Sequence, residues 1–150
     1  MPTLHLRLSP PVAPERHPLL ARALTRITVD TLGKRGELTA VLIDELAAGR
    51  WTLGGDAVTR PTAWLEISIT QGTNTVAQKA AFIAAAFAEL QRQLAPDGVI
   101  EAASYVLVHE LPASDWGYGG ASQQARQQAR VAAVAAAGQV VDHQALEPPR

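Results

Sequence analysis

A chain of 150 residues that is 47% hydrophobic and 18% charged carries enough apolar material for one globular domain or two fused halves. Its net charge of -1, from 13 basic and 14 acidic residues with no run of either sign, leaves no footprint for nucleic acid or an anionic membrane surface. The absence of cysteine excludes disulfides and thiolate chemistry, and the scattered His5, His17, His109 and His143 show no metal-ligand spacing.

No stretch reaches the roughly 18 uninterrupted apolar residues of a spanning helix, and the first residues lack the charged and apolar regions of a signal peptide. The expected location is the cytoplasm. From Thr3 to Leu8 the chain alternates, Leu4, Leu6 and Leu8 on one side and Thr3, His5 and Arg7 on the other, which predicts a half-buried strand. After a break at Pro10, Pro11 and Pro14, the segment from Pro18 to Leu32 places Leu20, Ala23, Leu24, Ile27 and Thr31 at helical spacing before Gly33, a natural C-cap. A second strand follows over Thr39 to Asp44, and Trp51 to Gly55 reads as a short hairpin.

The pattern then repeats. Trp64 to Ile69 alternates as a strand, and Gln71 to Asn74 forms a loop. A helix over Thr75 to Leu94 carries Ile83, Phe87, Leu90 and Leu94 on one stripe, with Asn74 or Thr75 as its N-cap. Ala103 to His109 supplies the matching strand, and Ala121 to Ala137 predicts an added helix stopped by Gly138, with the tail from Glu147 to Arg150 frayed. Two strands joined by a helix lie parallel through a right-handed crossover. The expected fold is therefore α+β: tandem β-α-β repeats forming a four-stranded mixed sheet with two helices on one face, plus a C-terminal helix. The expected divisions are residues 1–60, 61–120 and 121–150. The other sheet face needs a cover, which predicts a closed ring of a few chains.

The duplication is visible residue by residue. The eleven residues Glu45 to Gly55 return as Glu110 to Gly120, identical at Glu45, Leu46, Ala48, Trp51, Gly54 and Gly55. Units too small for comfortable independent folding must bury their core on each other. Met1 is followed by Pro2, a small second residue that lets the initiator be removed, leaving a secondary amine at the head of the first strand.

Pro2, the β-α-β unit and the signature of an acidic residue, a small pair, an aromatic and Gly-Gly (Glu45, Ala47-Ala48, Trp51, Gly54-Gly55) resemble the tautomerase superfamily, specifically a fused 4-oxalocrotonate tautomerase-like chain. The resemblance spans residues 2–120. It implies an N-terminal proline acting as base or acid on small enols and 2-oxo acids, no cofactor, and a trimer of fused chains. A free α-amine has a reference pKa of about 8, and an apolar, aromatic-lined site lowers it toward neutrality by disfavouring the charged form. In the second unit the corresponding place falls near Ala63, locked in a peptide bond, so one amine-bearing site is expected per chain.

The chain departs from the family where relatives hold carboxylates. The places of the short-chain arginines carry Val12, Ala40, Thr73 and Tyr105, and those of the dehalogenating relatives carry Thr70 and Thr73. A bidentate guanidinium is poorly replaced by neutral hydroxyls. The candidate site is then catalytic Pro2, with Arg50 as anion contact and Trp51, Tyr105 and Trp116 shaping the pocket, and no metal. The expected activity is tautomerisation of a small enol or 2-oxo acid. The alternatives are a non-catalytic ligand-binding relative, or a hydratase, dehalogenase or decarboxylase in which Asp115 directs water.

Overall fold

The computed structural model describes residues 1–144. They divide into two compact units, Met1–Leu111 and the segment from Pro112 onward. In the first unit, β1 (Thr3–Ser9) leads through α1 (Arg16–Leu32) and a short 3-10 turn to β2 (Ala40–Glu45), followed by a hairpin of β3 (Thr52–Leu53) and β4 (Asp56–Ala57). The plan returns as β5 (Thr62–Thr70), α2 (Val76–Leu94) and β6 (Tyr105–Leu111).

The sheet order is β2-β1-β5-β6. β1 pairs with β2 in parallel, Thr3 opposite Ala40, and β5 pairs with β6 in parallel, Trp64 opposite Tyr105. The repeats join through the antiparallel pair β1 and β5, Thr3 opposite Ser68 and Leu8 opposite Ala63. Each parallel pair is bridged by its own helix, as the right-handed crossover requires. Leu4, Leu6, Leu8, Leu65, Ile67 and Ile69 form one core with Leu20 and Leu24 of α1 and Phe82 and Leu90 of α2, so both helices cover one sheet face. Each fully buried leucine or isoleucine contributes roughly 1.5–3 kcal/mol relative to exposure.

The helix stripes follow the sequence expectation at Leu20, Leu24 and Leu90 and depart from it at Ile83. α2 buries Phe82, Ala86, Leu90 and Gln93, whereas Ile83 is 41% exposed. α1 buries Leu20, Leu24, Thr28 and Leu32, with Ile27 only partly covered. Thr75 caps α2 through a reciprocal box: its hydroxyl accepts from the Gln78 amide at 3.2 Å, and the Gln78 side-chain oxygen accepts from the Thr75 amide at 2.9 Å. Gly33 closes α1 with φ 62°, its N–H donating to the Val29 carbonyl. The last sheet strand begins at Tyr105, two residues later than expected, because Ala102 and Ala103 form a turn.

The second unit is a hairpin of β7 (Gly117–Tyr118) and β8 (Ala121–Ser122) followed by α3 (Gln123–Gln144). The Ser122 hydroxyl accepts from the Ala125 amide at 3.1 Å, and the Arg126 guanidinium lies 3.8 Å over the Tyr118 ring while donating to the Tyr118 carbonyl at 2.7 Å. Gly138 does not stop α3, which runs on to Gln144. A helical glycine costs only about 1 kcal/mol against alanine, and this one follows a long run of strong helix formers. The tail from Glu147 to Arg150 lies outside the described residues.

Candidate functional site

Pro2 is buried one residue before β1, and its carbonyl accepts the Ala40 amide at 3.1 Å. Because β1 runs parallel to β2 and antiparallel to β5, this end of the sheet gathers the starts of β1 and β2 and the end of β5. A crossover helix returns antiparallel to its strands, so the C-terminus of α1 arrives at the same end. It delivers Lys34, one residue past the Gly33 cap. The Lys34 ammonium donates to the Thr73 hydroxyl at 2.8 Å, and that hydroxyl donates to the Thr70 carbonyl.

Nearby, Glu110 of β6 accepts from Lys79 at 2.8 Å and from the Gly72 amide at 3.4 Å. Burial pushes the Lys34 pKa below the usual lysine range, opposed by the charge of Glu110. The Lys79 hydrogen bond holds Glu110 below the usual carboxylate range, with the Gly72 amide and the charges of Lys79 and Lys34 adding to it. Of Thr70 and Thr73, Thr73 thus carries the Lys34 ammonium, and its hydroxyl in turn holds the Thr70 carbonyl. Sequence reading passed over Lys34, although its position directly after a crossover-helix cap puts it at the sheet end where β1 begins.

The other sequence candidates gather elsewhere. Leu8 lies opposite Glu45, so the hairpin after β2 sits at the far end of β1. There a depression of about 260 Å³ is lined by Arg7, Leu46, Arg50, Trp51, Thr52 and Trp64. The Trp64 and Tyr105 rings stand 5.1 Å apart. Arg7 follows Pro2 by five residues of extended strand, about 16 Å. One chain therefore unites Arg50 and Trp51 with Trp64, whose ring meets that of Tyr105 at a tilt of 46°, and keeps them away from Pro2. Trp116 belongs to the second unit, where its carbonyl accepts the Gln123 amide at 3.0 Å and its indole N–H is buried without a hydrogen-bond partner. Asp115 accepts from the Ser114 hydroxyl at 2.6 Å in a turn closed by its own amide on the Pro112 carbonyl.

Between the two ends, the helix-free sheet face carries a polar chain. His5 Nε2 donates to Asp44 at 2.6 Å while its Nδ1 accepts from Arg7 at 3.1 Å, which assigns the Nε2–H tautomer. Arg7 also reaches Glu66 at 3.3 Å, and the Trp64 indole donates to Glu66 at 2.9 Å. That indole bond holds the Glu66 pKa low against the opposing effect of desolvation, helped by the charges of Arg7 and His109. Among the described residues no helix is long and apolar enough to cross a membrane.

No family model matches the chain. The probable tautomerase K2 of Dickeya dadantii (strain 3937) is 38% identical over 60 residues, covering 39% of this chain and 90% of that protein. Among solved structures, the F6 fused 4-OT, an asymmetric trimer, is 31% identical with a TM-score of 0.70, covering 82% of this chain and 97% of that one. Pt0534 inactivated by 2-oxo-3-pentynoate shares the fold at 21% identity and a TM-score of 0.72, over 83% of this chain and 98% of that one. A doubled β-α-β sheet with this similarity belongs to the tautomerase superfamily. Within it, the chain is of the fused 4-OT kind, two short tautomerase units in one polypeptide.

Proposed function

We propose that the protein, once Met1 is removed, is a tautomerase in which the Pro2 nitrogen moves a proton between carbon and oxygen of a small enol or 2-oxo acid. While Met1 is attached that nitrogen is an amide and has no basicity. Freed, the imino nitrogen takes a proton from the enol oxygen, and the resulting ammonium returns it to the carbon, giving the keto acid. Lys34 holds the substrate's carboxylate or the oxygen that bears charge between the two transfers, with Thr73 beside it. A positioned acid or base contributes typically 10² to 10⁴ in rate, and a fixed cation at the developing oxyanion adds to that.

The observation that carries this reading is the burial of Pro2 at the sheet end to which α1 brings Lys34. The trimeric state of the fused relatives and the uncovered polar face of this sheet support a homotrimer. Within one chain, Arg50, Trp51 and Tyr105 lie at the end of β1 away from Pro2, and the turn that engages Asp115 gives no support to a water-directing role. Ketonisation of an aryl enolpyruvate, followed by ultraviolet absorbance, tests the proposal. The processed native chain accelerates it and a Pro2→Ala variant loses about 10²-fold or more; equal rates would remove Pro2 from the mechanism.

A further inference from the structure

The outer side of the two crossover helices gathers charge that the proposed reaction does not use. On α1, Arg16, Leu19, Arg22, Ala23, Arg26 and Ile27 recur three or four residues apart and so share one face. The Arg16 guanidinium donates to the Gln93 carbonyl at 2.8 Å, which brings the start of α1 to the end of α2 and adds Glu89, Arg92 and Gln93. Between them lies a groove of about 520 Å³, within the roughly 300–1,000 Å³ of small-molecule sites. The helices stand on the side of the sheet opposite the face given to partner chains, so a homotrimer leaves this groove open.

We propose that this groove is a non-catalytic site that binds a diphosphate group. Its lining sets four arginines, Arg16, Arg22, Arg26 and Arg92, against one acid, Glu89. Both Glu89 oxygens are occupied: they accept from Arg92 at 2.9 and 2.6 Å, and one of them also accepts from the Gln93 side-chain amide at 2.6 Å. Arg22 and Arg26 make no hydrogen bond or ion pair among the described residues, and Glu15 and Asp30, the other acids of that stretch, stand outside the lining. These two guanidiniums lie one helical turn apart, about 6 Å along the axis, where their planar forks can hold the adjacent phosphates of one ligand. A second feature separates phosphate from other anions. Gln93 is only 5% exposed, and its Oε1 is buried without a hydrogen-bond partner. A buried acceptor left unpaired calls for a donor. A phosphate still has a proton to give near pH 6, whereas a carboxylate has none. Leu19, Ala23 and Ile27 give the groove an aliphatic floor with no aromatic ring on which a base could stack, so recognition falls to the diphosphate itself. The proposal does not depend on the chemistry assigned to Pro2.

The test is isothermal titration calorimetry of the full chain near pH 6 with inorganic pyrophosphate, ADP, orthophosphate and succinate. Pyrophosphate should bind saturably, and orthophosphate and succinate about tenfold or more weaker. ADP that binds as well as pyrophosphate assigns an esterified diphosphate as the ligand, and ADP that is refused assigns the free ion; both support the proposal. Arg22→Gln and Arg26→Gln should each weaken pyrophosphate about tenfold or more, while Arg130→Gln, an arginine outside the groove, and Lys34→Ala leave it unchanged. Circular dichroism checks that the variants are folded. Undiminished binding in both Arg22→Gln and Arg26→Gln would overturn the proposal, as would succinate binding as tightly as pyrophosphate. Loss of binding in Lys34→Ala would move the anion to the end of the sheet where Pro2 lies and overturn it too, and so would the absence of saturable binding at millimolar pyrophosphate.

Discussion

The Lys34 ammonium donates across 2.8 Å to the Thr73 hydroxyl and so ties the end of the first crossover helix to the loop that leaves the second repeat's first strand. This bond joins the two halves of the duplication at the end where Pro2 lies. It also puts a cation where a neutral hydroxyl alone would be a poor anion ligand.

Removal of that cation should act on substrate more than on folding. Lys34→Ala is expected to lower kcat/KM for an enol acid by about 10- to 100-fold, with a shift of only a few degrees in Tm, because a partly exposed hydrogen bond contributes about 1 kcal/mol. Lys34→Arg should recover much of the loss. Steady-state kinetics with an enol acid and its methyl ester separate the roles, since the ester should lose less if the ammonium holds the carboxylate.

The phase of α2 makes a sharp stability contrast between neighbouring residues. Phe82 is fully buried and Ile83 is 41% exposed. Phe82→Ala should destabilise by about 3–5 kcal/mol and Ile83→Ala by less than about 1 kcal/mol, read from urea unfolding midpoints. Equal losses would contradict the orientation of the helix.

The capping box on α2 predicts a smaller, local cost. Thr75→Ala removes the hydroxyl that accepts from the Gln78 amide and should lower stability by about 1 kcal/mol, while Thr75→Ser should restore it.

Acid should weaken the fold through its carboxylates. Glu45 is held below the usual carboxylate range first by the His17 hydrogen bond and then by the Val12 amide, Glu66 by the Trp64 indole, and Glu110 by Lys79. A depressed carboxyl pKa means that the unfolded chain binds more protons, so the stabilisation is full above the ordinary glutamate value of about 4.3 and is lost as pH falls through the lower folded values. Tm measured from pH 7 to pH 2.5 should therefore begin to fall below about pH 4.3, modestly because these carboxylates are at least partly exposed, and Glu45→Gln or Glu66→Gln should flatten that limb.

The doubled fold was legible because its signals are strong: β1 and β5 alternate without interruption, and the motif at Glu45 returns at Glu110. In the α2 stripe Leu90 is buried and Phe87 and Leu94 pack against the core, but Phe82 takes the place expected of Ile83, because Ala80, Ala81, Ala84, Ala85, Ala86 and Ala88 leave the apolar face weakly defined and both residues fit a helical period. The separation of Arg50 and Trp51 from Pro2 within one chain was not legible from the motif, because strand direction decides it. In a parallel pair, the hairpin after β2 lies beside the end of β1, not its beginning. Lys34 was missed for want of the same step, since it stands outside both copies of the motif.

The proposed proton transfer requires the Pro2 nitrogen to be a free, reactive amine. Treatment of the purified protein with an acetylenic 2-oxo acid, followed by peptide-resolved mass spectrometry, tests it, because conjugate addition forms a carbon–nitrogen bond only on an uncapped nitrogen. The expected result is loss of Met1 and a single adduct on Pro2, with loss of ketonisation activity in step. Retained Met1, or an adduct confined to lysines while activity persists, would contradict it.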